Sequence, residues 1–403
     1  MQLAGSAILE LGILRSPRWV VTSDHRVITL AGMGHTARIR LAVAGVIGAL
    51  GAGAGIAYGL VLARPPAPFA DVASGVSPPP FYVDGGNSLV VVRATATGDK
   101  TGSVWAPHAW AYMTHQLQDA VAGSADGKVF VAAFVNDDTM KTALFRFSLT
   151  SSGRVTGLHL IPHSVIPGLD QVSLAVSPDG TWAAVSGTPL YRAEAAGSQI
   201  GPRGQASIMV INIRTGRRVF WRGGLRVPGR QLTFPSLSFG SDDSLYVVAQ
   251  WCQGQVDYFG TVACAAWHSP PPLTKLMLLD AASRGGSLAG ARPVRVVSAR
   301  FPLILQAVAA DAGEAIVALV REGRQVSVVE LDARTGRLDA VLYRHRSPTC
   351  EGFAGPCAAF LAVDGTGRFV FLSENFGRPF GWLHAGRFHA LSWQLSDIGQ
   401  SAW

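Results

Sequence analysis

The sequence predicts an all-β protein, a β-propeller of six blades (five to seven) preceded by one transmembrane helix. Three observations carry this expectation. Two kinds of short glycine-bearing turn alternate in fixed order through residues 81–403, the apolar runs between them have strand length, and residues 41–63 hold no charged side chain. Beyond residue 64 no long apolar pattern at helical spacing appears, so very little helix is expected there.

Composition narrows the class. The chain has 403 residues, 48% hydrophobic and 15% charged, with 46 glycines, which is a folded protein poor in charge rather than a disordered one. Its net charge of +8 is spread along the chain with no basic run, so a nucleic-acid-binding surface is not expected.

Residues 1–40 read as a cytoplasmic tail without cysteine or metal-ligand spacing, and translation from Met33 is an alternative start. Residues 41–63 are long enough to span a bilayer as a helix. Arg15, Arg18, Arg26, Arg38 and Arg40 precede this stretch, whereas Arg64 stands alone after it until Arg93, a bias that puts the N-terminus in the cytoplasm. The stretch exceeds an ordinary signal-peptide core and no small-x-small site directly follows, which favours an uncleaved signal-anchor. Gly51, Gly55 and Gly59 sit at four-residue spacing, through which two such helices could pair as a weak homodimer, although a Gly/Ala-rich anchor contains this spacing by chance. Residues 64–80 carry six prolines and form an extended linker.

Residues 81–403 hold the repeat. Turns of the first kind are acidic and feed an apolar strand: Asp126-Gly127, Asp179-Gly180, Asp242-Asp243, Asp311-Ala312-Gly313 and Asp364-Gly365. Turns of the second kind close a strand with glycine: Thr97-Gly98, Ser152-Gly153-Arg154, Thr215-Gly216-Arg217, Arg284-Gly285-Gly286, Thr335-Gly336-Arg337 and Gly386-Arg387. One full unit is strand 172–176 with Val172, Leu174 and Val176 on its buried face, the Ser177-Pro178-Asp179-Gly180 turn, strand 182–185, a loop, strand 207–213, a Thr-Gly turn and strand 218–221. Six turns of the second kind suggest six blades. Blade one lacks a clear strand, and the tail, residues 394–403, is the candidate that closes the ring.

Two stretches, residues 172–185 and Met209-Val210-Ile211-Asn212-Ile213-Arg214-Thr215-Gly216, resemble the WD-repeat-like and TolB-like propeller families. The whole layout is similar to membrane-anchored propeller proteins of actinomycetes with no assigned function. The resemblance covers roughly residues 81–393 and implies the fold, not an activity. No blade ends in the Trp-Asp pair that names the WD family.

All four cysteines lie beyond the expected anchor, in an oxidising space. Sequence proximity favours Cys252 with Cys264 and Cys350 with Cys357 as two local disulfides. Neither pair has the Cys-x2-Cys spacing of a zinc site, so no metal is expected. No motif implies a cofactor.

The first-to-second and third-to-fourth turns of a blade share one face of the disc and are short here; the other connections lie on the opposite face and are long. The long segments are residues 106–119, 161–171, 187–206, 222–233, 250–274, 344–358 and 374–381. They carry the candidate binding residues Trp110, Tyr112, His115, Tyr191, Arg192, Trp251, Tyr258, Trp267, His268, Phe376, Arg378 and Phe380, since aromatics with a few arginines mark recognition surfaces. The competing expectation is that these rings fold over as small apolar clusters beneath their own loops.

Catalytic signatures are absent: no Gly-x-Ser-x-Gly, His-Glu-x-x-His or phosphate loop occurs. His159 and His163 lie four apart outside any helix, which is not a shared face. Asp119, Asp170, Asp257 and Glu374 could converge on a propeller channel as a hydrolase or lyase of the cell envelope would need. The favoured expectation is an extracytoplasmic, membrane-anchored propeller that binds a protein or envelope ligand as a sensor or scaffold, without catalysis.

Overall fold

A computed structural model of the chain describes residues 20–23, 26–29, 77–86, 89–107, 110, 120–136, 141–167, 169–189, 207–225, 227, 230–240, 242–252, 255–256, 262–263, 273–297, 303–310, 313–322, 325–346, 359–364, 367–374, 380–391 and 401–403. The chain divides into two compact units, Met1–Arg64 and Pro65–Trp403. In the first, β1 (Val20–Ser23) and β2 (Arg26–Thr29) pair antiparallel, where the sequence reading recognised only a tail. Their β-branched residues Val20, Val21, Val27 and Ile28 favour that hairpin. Residues 41–63, the expected anchor, lie outside the described residues, as does the start of the linker. Among the described residues no helix is long and apolar enough to cross a membrane.

The second unit is a ring of six small antiparallel sheets. Blade one contains β3 (Phe81–Gly86), β4 (Leu89–Ala94) and β5 (Lys100–Trp105). Blade two contains β6 (Ala120–Gly123), β7 (Phe130–Asn136), β8 (Lys141–Leu149) and β9 (Val155–Leu160), with the short β10 (Ile166–Pro167) also on β8. Blade three is β11 (Leu169–Val176), β12 (Trp182–Pro189), β13 (Ser207–Asn212) and β14 (Arg218–Arg222).

Blade four starts with β15 (Gln231–Phe239) and β16 (Leu245–Cys252). A small hairpin of β17 (Gln255–Val256) and β18 (Val262–Ala263) follows before β19 (Leu273–Leu279). The chain then leaves the blade as β20 (Gly286–Ser287) and returns as β21 (Arg292–Val297). Blade five is β22 (Leu303–Ala310), β23 (Ala315–Glu322), β24 (Gln325–Asp332) and β25 (Leu338–Arg346). Blade six is β26 (Ala359–Val363), β27 (Val370–Glu374), β28 (Phe380–His384) and β29 (Arg387–Ala390).

The last strand, β30 (Ser401–Ala402), returns to blade one and pairs with β3, so that sheet runs β30-β3-β4-β5. This is the closure expected of the C-terminal tail, and it supplies the strand that blade one lacked.

Six apolar clusters fill the six seams between neighbouring blades. The seam between blades six and one shows the pattern: Phe369, Phe371 and Phe380 from one side meet Tyr82 and Trp403 from the other. Because the inner strands of a blade touch a neighbouring blade on each face, they are buried on both. β7 is buried along its whole length, and in β11 Ser173 and Ala175 are buried together with Val172, Leu174 and Val176. Apolar alternation in β11 predicts a single buried face; packing between two blades covers the second. Outermost strands such as β9 and β29 remain largely exposed.

The turns are held by side-chain hydrogen bonds. At Ser177-Pro178-Asp179-Gly180 the Ser177 hydroxyl donates to Asp179 at 2.6 Å and accepts from the Trp182 amide at 2.8 Å. Gly180 takes a φ of 68°, which closes the turn onto Ser177 O at 2.9 Å. Blade two repeats the device with Ser124 and Asp126, while in blade six Asp364 itself accepts from the Phe369 amide at 2.9 Å. The second kind of turn uses Asn212 and Asp332, which accept from the amide and hydroxyl of Thr215 and Thr335.

One expected tight turn is not tight. Arg284-Gly285-Gly286 belongs to an excursion between β19 and β21, in which β20 adds in parallel to the outer edge of β14 in blade three. The Trp221 indole N–H donates to Ala282 O at 2.9 Å and anchors that strap. Extra residues here gain a partner edge that a two-residue turn could not reach.

Candidate functional site

The innermost strands β6, β11, β15, β22, β26 and β30 surround a central cavity of about 110 Å³. Among the described residues its lining contains Ser173, Ser236, Ser238, Gln306 and Ser401 together with apolar residues, and no charged side chain. Most of these polar groups tie one blade to the next. The Ser236 hydroxyl donates to Ala307 O and accepts from the Ala307 amide, both at 3.1 Å. Ser238 accepts from the Ala309 amide at 2.9 Å. Two bonds advancing together, residues 236 to 307 and 238 to 309, show that β15 and β22 run parallel, so both strands enter from the same face of the disc. Gln306 Oε1 accepts from the Leu361 amide across the next seam.

The closing strand is fastened by charge. The Ser401 hydroxyl donates to Asp84 Oδ1 at 2.6 Å, and Arg93 Nε lies 3.4 Å from Asp84 Oδ2, with both charged side chains 5% exposed. Arg93 also donates to Gly98 O at 3.1 Å, which couples the ion pair to the first outer turn.

Three of the twelve candidate binding residues fall among the described ones. Trp251 lies within β16 rather than in a loop; it is 2% exposed, and its indole N–H donates to Leu225 O at 2.8 Å. Phe380 opens β28 and is buried edge-on against Phe371, their centroids 5.3 Å apart. Trp110 is half-buried and packs edge-on against Phe145 at 6.4 Å. Strand extension explains the first two: β16 runs to Cys252, and β28 resumes at Phe380, so segments that looked like loop are sheet at their ends. In the same way β11 begins at Leu169, β15 at Gln231, and β25 runs to Arg346. Tyr112, His115, Tyr191, Arg192, Tyr258, Trp267, His268, Phe376 and Arg378 lie outside the described residues.

Of the four carboxylates considered for a channel site, Asp170 sits at the start of β11 opposite Thr188, and Glu374 ends β27 opposite Ala359. Asp119 and Asp257 lie outside the described residues, as do the side chains of Cys252, Cys264, Cys350 and Cys357. Among the described residues no group of three or more His, Cys, Asp or Glu is placed to hold a metal ion. His159 is on β9, and His163 occupies the following turn with a φ of 55°. The stitching residues Ser236, Ser238, Gln306 and Ser401 escaped the sequence reading. Their signal was present as isolated polar residues inside otherwise apolar innermost strands.

A closed ring of six meanders around a central channel defines a six-bladed β-propeller. No family model matches the sequence, and no curated protein matches it. Solved structures similar to it include TolB from Acinetobacter baumannii, at 12% identity and a TM-score of 0.46, covering 80% of this chain and 65% of that one. The chain thus spans less than two thirds of the TolB length. A functionally unknown protein from Desulfotomaculum acetoxidans is similar at 10% identity and a TM-score of 0.45, covering 80% and 98% of the two chains. A protein described as a putative 6-phosphogluconolactonase from Bacteroides fragilis is similar at 10% identity and a TM-score of 0.41, covering 80% and 96%.

Proposed function

We propose that this protein is a binding propeller, held at the outer side of a membrane by residues 41–63, whose long-connection face receives a protein or cell-envelope ligand. The observation that carries the reading is the division of labour between the two faces. On one, hydroxyl and carboxylate side chains lock short turns; between the faces, Ser236, Ser238 and Gln306 bind neighbouring blades into a stiff disc. Long connections on a rigid frame are suited to recognition. Trp251 and Phe380 are buried within their blades, so the contact surface in this reading falls to Tyr112, His115, Tyr191, Arg192, Tyr258, Trp267, His268, Phe376 and Arg378.

The test is photo-crosslinking of the full chain in its native membrane, comparing wild type with Tyr191→Ala, Arg378→Ala and a turn-face control, Arg217→Ala. A crosslinked species present in wild type and the control but lost in both loop variants supports the reading. Equal crosslinking in all four overturns it. A reporter that works only after export, fused after Trp403, is expected to be active; an inactive reporter overturns the outer location.

A further inference from the structure

A second candidate site lies on the turn face, at the seam between blades two and three. There a groove of about 540 Å³ is bounded by β8, β9, the Ser177–Trp182 turn and the turn after β13. Volumes of this order accommodate small organic ligands. Arg146 on β8 and His159 on β9 are direct partners in the ladder and share one wall, and Arg214 reaches the groove from blade three. All three side chains are exposed.

What distinguishes this groove is an imbalance of charge. Among the described residues its lining contains no carboxylate, and neither arginine has an ion-pair partner. The nearest acidic residues along these turns are already engaged. Asp126 pairs with Lys128 at 2.9 Å, and Asp179 accepts from the Ser177 and Thr181 hydroxyls and the Thr181 amide. Asn212 adds another donor: its carboxamide oxygen is held by the amides of Arg214 and Thr215, which leaves its NH2 group to donate. The groove therefore offers an excess of donors for oxygen anions, and Arg guanidinium is the side chain best matched to phosphate geometry. Val129 supplies half-buried apolar surface beside them, while Phe147 and Ile213 are buried in the floor beneath.

We propose that this seam binds a soluble phosphate ester, its phosphate held by Arg146 and Arg214 and its organic body laid against Val129. The volume is too large for a bare phosphate alone. The site is independent of the long-connection face and does not rest on the function proposed above.

The experiment is calorimetric titration of the full chain with phenyl phosphate and, separately, inorganic phosphate, together with sedimentation on phosphatidylglycerol vesicles. Arg146→Ala, Arg214→Ala and the control Arg217→Ala are compared with wild type, each first shown to retain the wild-type thermal midpoint. Phenyl phosphate is expected to bind wild type at least about tenfold more tightly than inorganic phosphate, and each groove variant to weaken it about tenfold, as loss of one charge-assisted contact would. Arg217→Ala is expected to bind as wild type does. Three results would each overturn the proposal: no binding of phenyl phosphate at millimolar concentration, equal weakening by Arg217→Ala, or sedimentation with vesicles in the absence of phenyl phosphate binding. The second would reveal only general attraction of anions to a basic protein, and the third would make a lipid headgroup the phosphate source.

Discussion

Ser401 and Asp84 are 317 residues apart in sequence, and a 2.6 Å hydrogen bond between them closes the ring. Arg93 holds the other Asp84 oxygen, so the seal combines a hydroxyl donor with a buried ion pair. Ser401→Ala leaves Asp84 one donor short and is expected to cost about 1–3 kcal/mol. Asp84→Ala removes the ion-pair partner of the buried Arg93 guanidinium and is expected to cost more, about 3–5 kcal/mol. Urea denaturation of the three proteins checks both the size and the order; a Ser401→Ala protein less stable than Asp84→Ala would contradict this account.

Trp403 follows the closing strand and is 6% exposed, edge-on to Phe371 at 5.8 Å and Phe369 at 6.4 Å. Trp403→Ala removes a buried indole from the seam between blades six and one and is expected to cost about 3–5 kcal/mol. Removal of residues 401–403 takes the inner strand of blade one as well. Limited proteolysis of that truncated chain is expected to cut first in blade one or six, and cuts confined to blades three and four would count against closure at this seam.

Acid should loosen the first-kind turns. Burial alone would raise the Asp179 carboxyl, but hydrogen bonds from the Ser177 and Thr181 hydroxyls and the Thr181 amide outweigh it and hold the group below its ordinary value of 3.8. Its folded pKa is lower than its unfolded one, so the stabilisation is complete above the unfolded value and is lost as pH falls through the folded value. Asp179→Asn is therefore expected to unfold at lower temperature than wild type near neutrality, with the gap shrinking below about pH 4. Melting temperatures recorded from pH 7 to pH 2 decide it, and a gap that widens in acid would refute the sign.

Two turn glycines separate backbone freedom from crowding. Gly127 and Gly216 have φ values of 65° and 72°. A Cβ at Gly127 meets nothing within 4 Å, whereas one at Gly216 would lie 2.3 Å from Pro162 O in the neighbouring blade. Gly127→Ala is expected to cost about 1–2 kcal/mol from the left-handed backbone alone. Gly216→Ala adds a clash with rigid main chain and is expected to exceed it by at least about 1 kcal/mol. Chemical denaturation of both variants gives the comparison, and equal losses would mean that the seam between blades two and three yields easily.

The local chemistry of the blades was legible in one dimension because it is made by neighbours in sequence. Ser177, Asp179 and Gly180 form their turn with one another, and Asn212, Thr215 and Gly216 form theirs, so these turns and a propeller of about six blades follow from the residues alone. The need for a closing strand could also be inferred, since blade one had too few.

Tertiary structure alone decided where the polar and aromatic side chains are used. Nothing local to Trp251 says that its indole meets Leu225, nor does Gln306 announce the Leu361 amide across a seam. The strap that β20 lays on blade three and the pairing of Ser401 with Asp84 belong to the same kind. These contacts join residues tens to hundreds of positions apart, and they exist only because six twisted sheets, arranged in a circle, bring the first strand and the last to the same edge.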